Sequence, residues 1–339
     1  MTESCRYRLL ITLVRCAVVL AGVLLQSTLV SAQWSGEIQN NLFYTDDVGL
    51  FSATRRLSLQ NDPTQPVVDR TGQGNDMVYE PSVDVRRAFD SRWGRTELSA
   101  QAQGFVYAGN PVYNHGSYRL RLTQDVASET AVRLYYFYGP NLFLGKNDER
   151  RSGKELLVDE RVTTHFWSGH LERRVAANVT VRLLGRYGTR QYNEAFSERD
   201  TRFWTVGPHV EWMITPRVQL LVGYHYERGL ADGRRQSQVH DDISYVNHYA
   251  SAELVVQARD RVSVLLGFDY ERNNFTSGLA DDVHRGAHEN VYQGDLEFQY
   301  RFTDAMTLKF GCQHGSRKFS FEPTSVSNTN LWLGADFKF

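Results

Sequence analysis

From residue 34 onward, apolar and polar residues alternate with a period of two, the signature of β-strands whose faces meet different surroundings. Val218, Leu220, Val222, Tyr224 and Tyr226 share one parity, and Arg217, Gln219, His225 and Glu227 share the other. Val262, Val264, Leu266, Phe268 and Tyr270 repeat the pattern against Ser263, Asp269 and Glu271. So do Tyr292, Leu296, Phe298, Tyr300 and Phe302 against Gln293, Asp295, Glu297, Gln299 and Arg301. The same reading predicts strands over 34–45, 77–89, 93–108, 113–126, 130–144, 156–174, 178–192, 200–213, 217–229, 243–257, 261–274, 289–302, 306–318 and 327–339. Pro81 makes 77–89 the weakest of them, because proline cannot donate to a ladder.

Connection lengths alternate as well. Short ones, such as Asp90-Ser91-Arg92, Thr215-Pro216 and Thr303-Asp304-Ala305, separate longer polar stretches at 46–76, 145–155, 193–199, 230–242, 275–288 and 319–326, with 109–112 a short exception. The expected fold is therefore all-β: a transmembrane antiparallel up-and-down barrel of about 14 strands, within a range of 12–16. Short turns on one side and long loops on the other put both termini on the periplasmic side.

The chain begins with Arg6, Arg8 and Arg15, an apolar run Ala17 to Leu25, and the small-residue end Val30-Ser31-Ala32. This reads as a signal peptide over 1–32, cleaved after Ala32 and leaving one barrel domain over 33–339. The apolar run is short of the roughly 20 residues of a spanning helix. Cys16 follows Val14-Arg15, which disfavours lipidation. Only Cys312 then remains, so no intrachain disulfide forms. A formal net charge of −1 gives no basis for a nucleic-acid partner. A mean hydropathy of −0.45 with 12% aromatics suits a barrel in which only alternate residues meet lipid.

At the C-terminus Leu331, Leu333, Ala335, Phe337 and Phe339 share one face and the chain stops on an aromatic. Here it resembles porin-like bacterial outer-membrane β-barrel proteins. The resemblance is one of pattern across the whole mature chain and selects no particular porin family. It implies that Leu331, Phe337 and Phe339 form the signal read by the barrel-assembly machinery. Tyr135, Tyr136, Tyr138, Trp167, Trp204, Trp212, Tyr224, Tyr226 and Tyr292 suit interfacial girdles, with Trp332 pointing inward.

The lumen carries the candidate chemistry. Alternation places Arg119, Arg121, Arg133, Arg182, Arg186 and Arg190 inside on the fourth, fifth and seventh strands, and Glu253, Asp269, Glu271, Asp295 and Glu297 inside on the tenth to twelfth. In a barrel of this size the two groups lie on roughly opposite walls and set a field across the pore. The expected function is passive or weakly selective passage of small polar or charged solutes. A salt-bridge lattice is the plainer reading of the same charges, with Glu172 meeting Arg182 and Asp295 meeting Lys309.

Two other classes stand beside it: a conduit for exporting polysaccharide or a surface lipoprotein, and a barrel-embedded hydrolase. For the hydrolase, His240-Asp241-Asp242 and Asp281-Asp282-Val283-His284 supply carboxylates and imidazoles in loops, and His314-Gly315-Ser316 a lipid-facing Ser and His. His115-Gly116-Ser117 repeats the last tripeptide and weakens it. Asp241, Asp242, Asp281 and Asp282 could ligate Ca²⁺, but no loop has EF-hand spacing. No enzyme, cofactor or metal centre is expected. The expected partners are outer-membrane lipids, the barrel-assembly machinery and small polar solutes, with a homo-oligomer left open.

Overall fold

The computed structural model describes residues 33–49, 74–92, 94–154 and 156–339. The segment 1–32, expected to be a signal peptide, lies outside them, as does most of the first long loop with Pro63, Pro66 and Gly72.

Fourteen antiparallel strands close into one barrel, each paired with its neighbours in sequence. They are β1 Gln33–Thr45, β2 Asp76–Ser91, β3 Gly94–Tyr107, β4 His115–Ala127, β5 Thr130–Glu149, β6 Leu156–Ala176 and β7 Val179–Tyr192. The second half comprises β8 Thr201–Thr215, β9 Val218–Ala231, β10 Tyr245–Arg259, β11 Val262–Phe275, β12 His288–Arg301, β13 Met306–Phe319 and β14 Val326–Lys338. Closure pairs β1 with β14, Glu37 opposite Lys338 and Thr45 opposite Asn330. Gly36 and Phe339 exchange both backbone hydrogen bonds, at 2.8 and 3.0 Å. No sheet edge remains, as a span through hydrocarbon requires.

Pro81 sits inside β2 without displacing it. Tyr79 pairs with Val106 and Ser82 with Gln103 in one register, so the proline omits bonds without adding a residue. Gly104 opposite leaves room for its ring, a Cβ there lying 3.6 Å from the proline Cγ.

The fifth strand runs past the expected end at 144. Register shifts between Gly139 and Leu142 and between Phe143 and Gly145 break the alternation, yet pairing with β6 continues to Glu149 opposite Leu156. The bulges leave Leu142, Phe143 and Leu144 all buried, which a regular strand with one face to lipid would not do.

The barrel interior is uneven along its length. At the end holding the termini and short turns, inward side chains are half-buried; toward the loop end they are fully buried. An apolar cluster there joins Leu142 and Leu144 of β5, Val162 of β6 and Phe196 of the β7–β8 loop to Ile243, Tyr245, Phe275 and Phe319 on the far side. A second cluster packs Phe43, Val48, Val78, Phe105, Tyr107, Tyr113 and Phe143 beside it. The loop end is thus packed like a protein core and the opposite end is not.

Candidate functional site

The outer surface decides the barrel's setting. Trp34, Trp167, Leu183, Phe268, Phe310, Leu333 and Phe337 all stand exposed around it, alternating with polar side chains turned inward. So much apolar area on strand faces has its place in lipid. The chain is a barrel of the outer-membrane kind. Aromatics pair across neighbouring strands on this surface, Tyr136 with Trp167 at 4.6 Å, Trp204 with Tyr226 at 5.3 Å and Tyr270 with Tyr292 at 5.0 Å. Tyr135 departs from the girdle expected for it. It shares the parity of Arg133, faces inward and lies 4.6 Å from the His170 ring. Trp332 faces inward as expected, lies against Gly311, and donates from Nε1 to Glu297 at 2.7 Å.

Within the lumen, Arg119, Arg121, Arg133, Arg182 and Arg186 surround one cavity of about 430 Å³. Arg133 and Arg182 grip opposite oxygens of Glu172, at 2.9 and 2.7 Å, so the expected Glu172–Arg182 pair is part of a three-residue bridge. Arg121 approaches Glu97 at 3.6 Å, and the Arg186 guanidinium lies 4.5 Å over the Phe166 ring. Arg190 lies apart from this cavity, buried toward the loop end, where it donates to the Tyr245 hydroxyl and faces Glu227 at 3.6 Å.

A second cavity of about 150 Å³ is lined by Glu253, Asp269, Asp295 and Glu297 with Lys309 and Trp332. Glu253 and Leu265 belong to both cavities, so the arginine and carboxylate groups face each other across adjoining space. Tyr249 and Gln293 donate to Asp269, and Asn247 donates to Glu271, which is buried outside both cavities. Lys309 does not take the partner expected for it. Register sets it opposite Gln299, with Asp295 four residues along, and it pairs with Asp336 of β14 at 2.7 Å.

Three lumenal histidines were not among the expected site residues, because each merely occupied a polar position in its strand, as His225 does in the alternation of 217–227. His170, His209 and His225 come from β6, β8 and β9; His209 and His225 stack 4.8 Å apart, and the Ser168 hydroxyl lies 3.2 Å from His170 Nε2.

The hydrolase candidates separate. His314 and Ser316 do share the outer face, but His314 Nδ1 is bonded to the Thr329 hydroxyl at 3.0 Å and no carboxylate among the described residues orients it. His115 turns inward, stacked 4.4 Å from Phe105 with Nδ1 2.8 Å from the Tyr113 carbonyl. By contrast, the two acidic loops meet. Asp241, from the β9–β10 loop, and Asp282 and His284, from the β11–β12 loop, lie together and buried. Burial raises the Asp282 pKa, but hydrogen bonds from the His284 side chain, Ser277 and the His284 and Asp242 backbones outweigh it and hold the pKa down at about 2. Asp281 stays exposed and outside the group.

No family model and no curated protein matches the chain. Solved outer-membrane porins and channels are similar to it in fold. The anion-selective porin from Comamonas acidovorans is 8% identical, with 92% of this chain and 100% of the porin covered at a TM-score of 0.49. The outer membrane channel DcaP of Acinetobacter baumannii is 8% identical over 93% and 99% of the two chains, also at 0.49. A bacterial polysaccharide outer membrane secretin is 11% identical over 90% and 98%, again at 0.49. What they share with this chain is the barrel, and no residue role crosses at such identities.

Proposed function

We propose that the chain is a porin-type channel of the bacterial outer membrane, admitting small polar or charged solutes between an arginine wall and a carboxylate wall, with both termini in the periplasm. One observation carries this reading: the two lumenal cavities adjoin at Glu253 and Leu265 with opposite charge on their far sides. Fixed charge of opposite sign across a narrow aqueous space orients dipolar solutes and biases ion passage. Glu172 neutralises part of the arginine wall, so the bias is moderate. Packing at the loop end narrows the route and favours small solutes over a wide, unselective stream. Leu331, Phe337 and Phe339, all on the outer face, are accessible to the assembly machinery as its recognition strand.

The test is conductance of the refolded chain in planar bilayers under a salt gradient. Stable single-channel steps are expected, with a reversal potential that moves toward cation preference in the Arg182→Ala, Arg186→Ala double variant. A folded barrel without conductance refutes the channel. An unchanged reversal potential in the variant removes those arginines from the path.

A further inference from the structure

The β9–β10 loop (232–244) and the β11–β12 loop (276–287) are 32 residues apart at their nearest ends, yet they converge on one buried point at the loop end. His284 Nδ1 lies 3.0 Å from Asp282 Oδ1 and 3.5 Å from Asp241 Oδ1. All three ligand atoms fall within 4.8 Å of one another. Tetrahedral zinc, with bonds of roughly 2.0–2.2 Å to nitrogen and oxygen, sets its ligand atoms about 3.3–3.6 Å apart. The two distances to His284 are within about half an ångström of that spacing, and the carboxylates need close only within the 4.8 Å that already bounds the group.

Two further observations point to a cation. Asp241 is 1% exposed and its Oδ1 accepts no hydrogen bond from the described residues, although it lies 3.5 Å from His284 Nδ1. An unpartnered carboxylate oxygen in the interior is costly, and a metal ion relieves it. Among the described residues, acidic side chains also outnumber the cations that reach them. Glu198, Asp241, Asp242 and Asp282 are all buried; Arg199 bonds Asp241 through Nε at 2.7 Å, and Arg151 approaches Glu198 at 3.6 Å from the exposed side. Buried charge of one sign calls for a compensating ion.

We propose that Asp241, Asp282 and His284 form a binding site for a first-row divalent metal ion, which ties the β9–β10 loop to the β11–β12 loop. One imidazole with two carboxylates is a donor set suited to zinc or its neighbours more than to calcium or magnesium. Binding needs no redox step: with its proton on Nε2, the His284 imidazole gives the Nδ1 lone pair to the ion. Asp282 Oδ1 exchanges its contact with Nδ1 for the metal and keeps its backbone bond from His284 at 3.0 Å. The ion would also anchor the loop-end packing, because the His284 ring lies 4.8 Å from Phe275 within the apolar cluster.

The experiment uses the full barrel in detergent, stripped with a chelator, then titrated with Zn²⁺ against a chromophoric competitor and with Co²⁺ by visible absorption. One ion per chain is expected, with Co²⁺ bands typical of nitrogen and oxygen ligands. Asp241→Asn and His284→Gln should each weaken Zn²⁺ at least tenfold, while Asp281→Asn, altering an exposed neighbour, leaves it unchanged. Absence of stoichiometric Zn²⁺ or Co²⁺ binding by the folded wild-type barrel overturns the proposal, whatever the variants do. Undiminished binding in folded His284→Gln overturns it equally, including the case in which Ca²⁺ binds there instead.

Discussion

Phe196 is the most informative single residue of the loop-end packing. It is fully buried in the short 3₁₀ stretch Glu194–Arg199 and belongs to the apolar cluster that joins both walls of the barrel. Cutting a buried phenylalanine to alanine costs about 3–5 kcal/mol, from lost burial plus the cavity left behind. The ladders of β7 and β8 do not touch the change, so the cost falls on opening of the loop and not on unfolding of the barrel. At about 1.4 kcal/mol per tenfold, the opening constant of residues 193–200 should rise by roughly two to three and a half orders of magnitude in Phe196→Ala. Hydrogen exchange reads this directly at the amides of Phe196, bonded to the Asn193 carbonyl at 2.9 Å, and Asp232, bonded to the Asp200 carbonyl at 2.9 Å. Phe196→Leu, which keeps most of the volume, should cost less than about 1.5 kcal/mol. Mean conductance should rise in the alanine variant if this packing narrows the route. Exchange that changes less than about threefold in a folded Phe196→Ala barrel would refute the idea that Phe196 holds the loop in place.

Further outcomes follow from particular contacts. Glu172→Gln leaves Arg133 and Arg182 without their shared anion, so reversal potential should move toward anion preference, opposite to the arginine variants, with a stability loss of roughly 1–3 kcal/mol. A shift toward cations would show that Glu172 does not govern the wall. Gly94→Ala should lower the urea midpoint by an amount worth roughly 1–3 kcal/mol, because Gly94 has φ +100° and a Cβ would lie 2.2 Å from the Asp125 carbonyl oxygen. An unchanged midpoint would mean that the turn re-forms without cost.

Much of the barrel was legible because strand alternation is a local property written in every pair of residues. All fourteen strands lie close to where the two-residue period places them, and the alternation carries Arg119, Arg121, Arg133, Arg182 and Arg186 to one lumenal cavity and Glu253, Asp269, Asp295 and Glu297 to another. The exceptions have local causes too. The bulges at Gly139–Leu142 and Phe143–Gly145 interrupt the period, which hid the last turn of β5. Tyr135 was placed by residue type when its parity with Arg133 decides its side. His170, His209 and His225 carry no spacing that distinguishes them from other polar lumen positions.

The sequence by itself determined about fourteen strands, within a range of 12–16, their order and which side chains turn toward lipid, since a closed up-and-down barrel leaves each strand only its two sequence neighbours to pair with. Closure fixed the count at fourteen. Tertiary structure alone decided which inward groups meet. Register sent Lys309 to Asp336 and set Glu172 between two arginines. Loop packing filled one end of the lumen and brought Asp241 to Asp282 and His284 from another loop. Such meetings depend on how far strands are staggered and on how loops fold across a barrel mouth, and neither leaves a periodic trace in the chain.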